Sequence, residues 1–221
     1  MLEQELHWER NLFFFLNGSH SPFWDSFFYL YSYKWTWIPF YLCFLFVVIY
    51  RKSGTEFKSD WKGIVWTILA VIVVITLCDQ ISSGICKPLF HRFRPTHHPD
   101  FQDLVKTVYG ERGDGYGFMS GHAANSFGLA SIAALLFRNR LLTITLFLYA
   151  SLTAYSRVYL GLHFVSDVVA GALVGMVVGY VVYKIYHWKA KKMIYPSWKI
   201  YLLSSVYIVI VVALFFLSKI F

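Results

Sequence analysis

The sequence predicts an all-α integral membrane protein with six transmembrane helices plus an N-terminal interfacial helix. Three observations predict it. Of 221 residues, 57% are hydrophobic and 14% charged, where a soluble globular domain has about a quarter of its residues charged. The mean hydropathy is +0.52. Several apolar stretches approach the roughly 20 residues a helix needs to cross a bilayer. A soluble helical domain of this length could not bury so many apolar runs. Residues 1–221 read as one domain, with no internal repeat and no low-complexity segment.

The elements follow in order. Residues 3–16 form the interfacial helix, in which Trp8 and the Phe13–Phe15 run share the chain with Glu3, Glu5, Glu9 and Arg10. Asn17-Gly18 ends it, and Ser21-Pro22 opens the next helix as a cap residue followed by a first-turn proline. The first span is expected at about 24–50, with a kink at Pro39 and with Trp24, Trp35 and Trp37 as interfacial aromatics. The others are expected at about 62–83, 120–137, 141–159, 164–186 and 199–219. Gly171, Gly175 and Gly179 recur every four residues in the fifth, a stripe that lets another helix come close. The connection 84–118 is the longest, and such a loop in a compact chain points to function. The N-terminus lacks the basic first region and small-residue cleavage site of a signal peptide. Cys43, Cys78 and Cys86 lack metal-ligand spacing and read as small hydrophobes.

The net charge is +8. The basic residues are scattered among loops and no nucleic-acid module is recognisable, so the excess reads as an orientation signal. With six spans, eleven Lys and Arg fall on one side, within 51–62, 138–140 and 184–199. Nine fall on the other, with loop 84–118 and the turn after residue 156. Four of those nine (Lys87, Arg92, Arg94 and Arg157) sit in a polar constellation. Eleven against the remaining five puts the polar loops outside the cytoplasm, facing the periplasm or exterior if the membrane is a bacterial inner membrane.

Three polar islands make up that constellation. Lys87 and Arg94 stand seven residues apart, with Pro95 next. Ser120-Gly121-His122 opens the third span. Ser156, Arg157, His163 and Asp167 surround the entry to the fifth. Lys87, Arg94 and Arg157 supply three cations, and the arginine fork suits bidentate phosphate contact. Ser120 and the backbone amides at Gly121 and His122 would form an anion site at a helix N-terminus. His163 and Asp167, four apart, share a helix face, so Asp167 can fix the tautomer of a nucleophilic His163. His122, with no carboxylate nearby in sequence, suits proton donation to a leaving group. The set describes phosphoryl transfer through a phosphohistidine, with the cations neutralising the transition state and no metal or other cofactor required.

In order and internal spacing, Lys87-x6-Arg94-Pro95, Ser120-Gly121-His122 and Ser156-Arg157-x5-His163-x3-Asp167 resemble the three signature motifs of the type 2 phosphatidic acid phosphatase superfamily. That family contains membrane lipid phosphatases and shares its site with vanadium haloperoxidases. The resemblance covers about residues 24–219. It implies His163 as nucleophile, Asp167 as its orienting partner and His122 as general acid. It also implies Lys87, Arg94, Arg157, Ser120 and Gly121 as phosphate ligands, with a minor role for Ser156. Met119 stands where the second motif usually has proline, a change that removes no chemical group.

Other polar residues read more plainly. His7, His20 and His187 are expected to be packed or interfacial, and His91, His97, His98, Asp100 and Asp103 to be solvated loop residues. Asp79 in the second span either pairs with a cation of the constellation or serves helix contacts. The substrate expected is a lipid phosphate or diphosphate within the bilayer, undecaprenyl diphosphate first. Lipid A, phosphatidylglycerophosphate and phosphatidate are the alternatives, and a lipid phosphotransferase using the same site is a further one. No nucleic-acid partner and no obligatory protein partner are expected.

Overall fold

The computed structural model describes residues 7–49, 61–189 and 197–220. Among these the chain is helical, and the only β feature is an isolated antiparallel bridge between Phe93 and Tyr116. The helices are α1 (His7–Asn17), α2 (Pro22–Ser32), α3 (Ile38–Ile49), α4 (Trp61–Asp79), α5 (Lys87–Phe90), α6 (Gly121–Phe137), α7 (Arg140–Tyr159), α8 (Val165–Lys189) and α9 (Ser197–Leu217). Four helical runs among the described residues are long and apolar enough to cross a membrane, and α2 with α3, bent by 65°, makes a fifth candidate. At 17 residues α6 is a shorter apolar helix, so length and hydropathy support four or five crossings where six were expected.

The interfacial helix is α1; residues 3–6 of its expected range lie outside the described residues. Phe13 is buried against Phe164, while Trp8 and Phe15 are exposed. Asn17 fastens the helix end. Its Nδ2 donates to the carbonyls of Lys106 (2.9 Å) and Tyr159 (2.8 Å), and its Oδ1 accepts from Lys106 N (3.0 Å). As the cap signal predicts, Ser21 Oγ accepts from Trp24 N at the start of α2.

The first span breaks earlier than expected. Tyr33 is extended and a 3-10 turn covers Lys34–Trp37, so the chain bends before Pro39 rather than at it. The carbonyls at the break stay satisfied: Tyr33 N (3.2 Å) and Thr36 Oγ1 (2.7 Å) donate to Leu30 O, and Trp37 Nε1 donates to Tyr31 O (2.8 Å). Pro39 is the second residue of α3, where a missing N–H costs nothing.

The second span is longer than its expected end at 83. Helical structure runs from Trp61 to Phe90 through a π-helical stretch, Gln80–Cys86. Pro88 would clash with the carbonyl four residues back in a regular α-helix, and the wider turn precedes it. Lys87 therefore rides on a helix, and the irregular connection shrinks to 91–118.

α6 and α8 form the tightest seam, along the predicted glycine stripe. A Cβ on Gly171 would strike Ser120 O and the Ala123 side chain. One on Gly175 would strike backbone atoms of Ala124 and Gly128, and one on Gly179 the carbonyl of Gly128 (2.7 Å) and the Ser131 side chain (2.9 Å). Lipid offers no hydrophobic drive for helix association, so such close approach supplies van der Waals attraction in its place. A second core joins α2, α3, α7 and α9 through Tyr31, Trp37, Phe40, Tyr149 and Tyr207. Leu173, Val177, Ile208 and Val209 point outward as an apolar belt suited to acyl chains.

Candidate active site

The three islands meet at one end of the bundle, where α5 and α7 end and α6 and α8 begin. Residues 92–94 and 115–117 pair briefly as extended chain: Arg94 N donates to Gly115 O (3.0 Å) and Gly117 N to Arg92 O (2.8 Å). In extended chain, alternate side chains share a face, so Arg92 and Arg94 both turn inward while Phe93 stays partly exposed. Gly113 (φ +69°) and Gly117 make room for Arg94, since a Cβ at either would come within 3.2 Å of its side-chain atoms.

Arg94 Nη1 lies 3.0 Å from His163 Nε2 and donates to Leu162 O (2.9 Å). His163 Nδ1 is 3.5 Å from Asp167 Oδ2, longer than a made hydrogen bond, and Oδ2 accepts from Phe164 N (2.9 Å). The two side chains are 2% and 0% exposed. Ser120 caps α6, its Oγ accepting from Ala123 N (3.4 Å), while its own N–H donates to Asp167 O (3.0 Å). Gly121 backs onto Ser82, whose hydroxyl donates to Met119 O (3.2 Å), so the π-helical stretch holds the turn that carries motif two.

Arg157, buried in the last turn of α7, donates through Nη1 to Ser32 Oγ, and its Nη2 is 3.8 Å from Glu111 Oε1. Its Nε is buried with no hydrogen-bond partner among the described residues. Lys87 Nζ donates to Ser83 Oγ (3.3 Å). His122 lies within electrostatic reach of Arg157, His163, Arg94 and Lys87. Burial, and then the charges of Arg94, Arg157 and Lys87, hold His163 well below the ordinary histidine range, so its ring is neutral. Ser156 turns its hydroxyl to Thr153 O of its own helix (2.7 Å). An anion of phosphate size is what three buried or half-buried cations around a neutral imidazole can hold.

Over residues 63–191 the chain matches the PAP2 superfamily. The chain belongs to that superfamily. This PAP2 protein is 47% identical over 185 residues to the lipid A 4'-phosphatase of Porphyromonas gingivalis, covering 84% of this chain and 75% of that one. To the lipid A 4'-phosphatase of Bacteroides thetaiotaomicron it is 41% identical over 180 residues, covering 81% and 77%. Its fold is similar to the crystal structure of a transmembrane PAP2-type phosphatidylglycerolphosphate phosphatase from Bacillus subtilis. That likeness has a TM-score of 0.61 at 20% identity and covers 84% of this chain and 87% of that one. It is a membrane lipid phosphatase of the PAP2 type.

A cavity of about 470 Å³ opens beside His122. It descends along α6 from His122 through Asn125 and Ser126 to Leu129, about 10 Å at 1.5 Å per residue. Tyr31, Trp37, Phe40 and Tyr41 wall it from either side of the break in the first span, and α4 and α7 close it. Asn125 Oδ1 is buried without a hydrogen-bond partner among the described residues.

The site of this PAP2 protein also holds residues that motif spacing did not single out. Arg92 reaches Asp167 from the connection and Glu9 of α1 holds Arg92, Ser32 and Glu111 flank Arg157, and Ser82 supports Gly121. The RFR alternation before Pro95 was the one available signal, and it covers Arg92 alone. The remaining histidines stay outside the constellation, as do Asp100 and Asp103. His91 packs on Tyr116, His98 stacks on Phe101, His97 Nδ1 pairs with Thr96, and Asp100 and Asp103 are exposed. His20 stacks on Tyr159 with its Nδ1 2.7 Å from Asp25 Oδ1, His187 stacks on Tyr183, and His7 is exposed. Asp79 is exposed on α4 and within electrostatic reach of Lys87.

Proposed function

We propose that the protein removes a phosphate monoester from a lipid A-type phosphoglycolipid through a phosphohistidine on His163. The approach of Arg94 Nη1 to His163 Nε2 carries the mechanism. It puts the lone pair of a neutral imidazole beside the cation that would hold the phosphoryl group. Lys87, Arg94 and Arg157 neutralise the phosphoryl oxygens, with Ser120 and the first amides of α6 completing the cradle. Nε2 attacks phosphorus as the phosphorus–oxygen bond to the sugar breaks, and the leaving oxygen takes a proton from His122. Water then attacks phospho-His163, His122 accepts its proton, and inorganic phosphate leaves. Asp167 keeps the remaining imidazole proton on Nδ1 throughout.

The substrate class rests on the two lipid A 4'-phosphatases at 47% and 41% identity. They favour the lipid A alternative over undecaprenyl diphosphate, the substrate expected first. The cavity supports it: its aromatic wall and the unpartnered Asn125 carbonyl, on the His122 side, suit the leaving group, a sugar bearing hydroxyl and amide donors. The eleven-to-five bias in Lys and Arg, counted on six spans, supports a site facing the periplasm or exterior of a bacterial inner membrane.

The test is inorganic phosphate release by the purified protein in detergent, from 4'-phosphorylated lipid A, undecaprenyl diphosphate, phosphatidylglycerophosphate and phosphatidate, with His163→Ala alongside. Release from lipid A, absent in the variant, is expected. Preference for another lipid overturns the substrate reading, and label appearing on an acceptor lipid in place of free phosphate makes the protein a phosphotransferase.

A further inference from the structure

Asp167 has a second partner besides His163. Its Oδ1 accepts from Arg92 Nη1 at 2.9 Å. The other arm of that guanidinium, Nη2, is 2.8 Å from Glu9 Oε2 on α1. Glu9 Oε1 in turn accepts from Ser166 N (3.0 Å), and Arg92 Nη1 also donates to Ser166 Oγ (2.5 Å). The guanidinium lies over the Phe164 ring at 4.5 Å. We propose that Arg92, held by Glu9 of the interfacial helix, is a positioning residue that fixes Asp167 against His163 and so acts on the chemical step.

The argument begins with burial. Asp167 is 0% exposed and Glu9 6% at the side chain, and a carboxylate withdrawn from water keeps its charge only beside a cation. Arg92 is that cation for both. Its planar fork can bind two carboxylates in a fixed relation, which a lysine ammonium cannot do. Its hydrogen bonds go to Asp167, Ser166 and Glu9, whereas Arg94 turns toward His163. Two arginines two residues apart thus divide the work, Arg94 at the phosphate and Arg92 behind the histidine. With Oδ1 held by Arg92 and Oδ2 by Phe164 N, Asp167 cannot rotate, and Oδ2 stays aimed at Nδ1. The charged and titratable groups around Asp167 are Arg92 and Arg94 from the connection, His163 beside it, and Glu9 behind Arg92.

This inference rests on the phosphohistidine reading, so its test reads the chemistry and phosphate binding separately. Arg92→Gln, Arg92→Lys and Glu9→Gln are made in the full chain and compared in detergent with wild type. The substrate is a phosphate ester that wild type cleaves, with p-nitrophenyl phosphate included. Loss of partners behind a ligand typically costs 10- to 100-fold. Arg92→Gln is expected to lose about 100-fold in kcat, with KM and the inhibition constant for inorganic phosphate within about threefold of wild type. The acid limb of its kcat/KM profile should move to higher pH, because an Asp167 deprived of its cation accepts a proton more readily. Arg92→Lys should recover about tenfold, and Glu9→Gln should lose up to about tenfold in kcat.

Phosphate inhibition weakening in step with kcat would make Arg92 a phosphate ligand and overturn the proposal. So would unchanged kcat and pH profile with a lowered melting temperature, which would make Arg92 only a brace for α1. If Arg92→Gln does not fold, the other two variants decide by the same readouts. A wild type that cleaves p-nitrophenyl phosphate but no lipid A overturns the lipid reading and leaves this test running. A wild type inert on every ester overturns both.

Discussion

His163 Nε2 lies 3.0 Å from Arg94 Nη1. Arginine can only donate, so Nε2 accepts, and the imidazole proton belongs on Nδ1, facing Asp167 Oδ2 at 3.5 Å. That distance is longer than a made hydrogen bond, and such contacts commonly tighten only when substrate binds. The same arginine thus selects the tautomer and, in the mechanism proposed, stands where the phosphoryl group would arrive.

The buried neutral ring has a consequence for stability. His163 is held well below its ordinary value in the folded protein, whereas an unfolded histidine titrates near about 6.5. Below that pH the unfolded chain binds a proton that the folded site refuses, so stability present above about pH 6.5 is lost as pH falls toward the folded value. The slope from this one group is at most about 1.4 kcal/mol per pH unit. Thermal melts in detergent between pH 7.5 and 5 should show it, and His163→Gln should flatten the curve. Equal slopes in the two proteins would mean that the ring is protonated in the fold.

Removal of the attacking group is the direct test of chemistry. His163→Ala should release no phosphate while its melting temperature at pH 7.5 stays near that of wild type. Asp167→Asn keeps the side-chain shape but removes the charge that orients the ring and should slow turnover by about 10²- to 10⁴-fold. Vanadate, which can become five-coordinate, should inhibit wild type, and EDTA should not, because three arginine and lysine charges do the neutralising. Strong EDTA inhibition would contradict that assignment.

The constellation was legible because each motif is local. Lys87 and Arg94 are seven residues apart, and His163 and Asp167 are four, so spacing alone says which can share a site. The helix boundaries were less legible. Pro39 was the visible breaker in the first span, yet the break lies at Tyr33, where Thr36 joins Tyr33 N at the carbonyl of Leu30 and Trp37 takes up that of Tyr31. That compensation has no hydropathy signature. Glu9 and Ser32 were illegible for a different reason. Glu9 is more than 150 positions from Asp167, and Arg157 meets Ser32 across 125, pairings fixed by tertiary packing that no periodicity encodes.

The cavity beside His122 makes a separate prediction. Ser126 lines it one turn below His122 and is buried, so Ser126→Phe would fill the space proposed for the leaving group. Activity on the lipid substrate should fall at least tenfold, mainly through KM, while hydrolysis of p-nitrophenyl phosphate stays within about threefold. Equal losses on both esters would mean that the substitution disturbs the cradle and that the cavity is not where the leaving group sits.

The α6–α8 seam carries two of the three motifs proposed to be catalytic at its open end, Ser120 through His122 on one helix and Asp167 on the other, so its tightness should matter for stability and activity together. A Cβ at Gly175 would meet backbone atoms of Ala124 and Gly128, the latter at 2.9 Å. Backbone cannot swing aside as a side chain can, so Gly175→Ala must push the helices apart. Overpacking of this kind costs about 1–3 kcal/mol. Val177, two residues on and 61% exposed on the lipid face, gives the control, because Val177→Ala removes only contacts to lipid or detergent. Melting temperatures should fall clearly for Gly175→Ala and little for Val177→Ala. Activity at a temperature where both are folded should drop only in the first, since parting the helices moves Ser120 N from Asp167 O, a contact now at 3.0 Å. A Gly175→Ala protein as stable and active as wild type would mean that the seam has slack and does not set the distance between the two motifs.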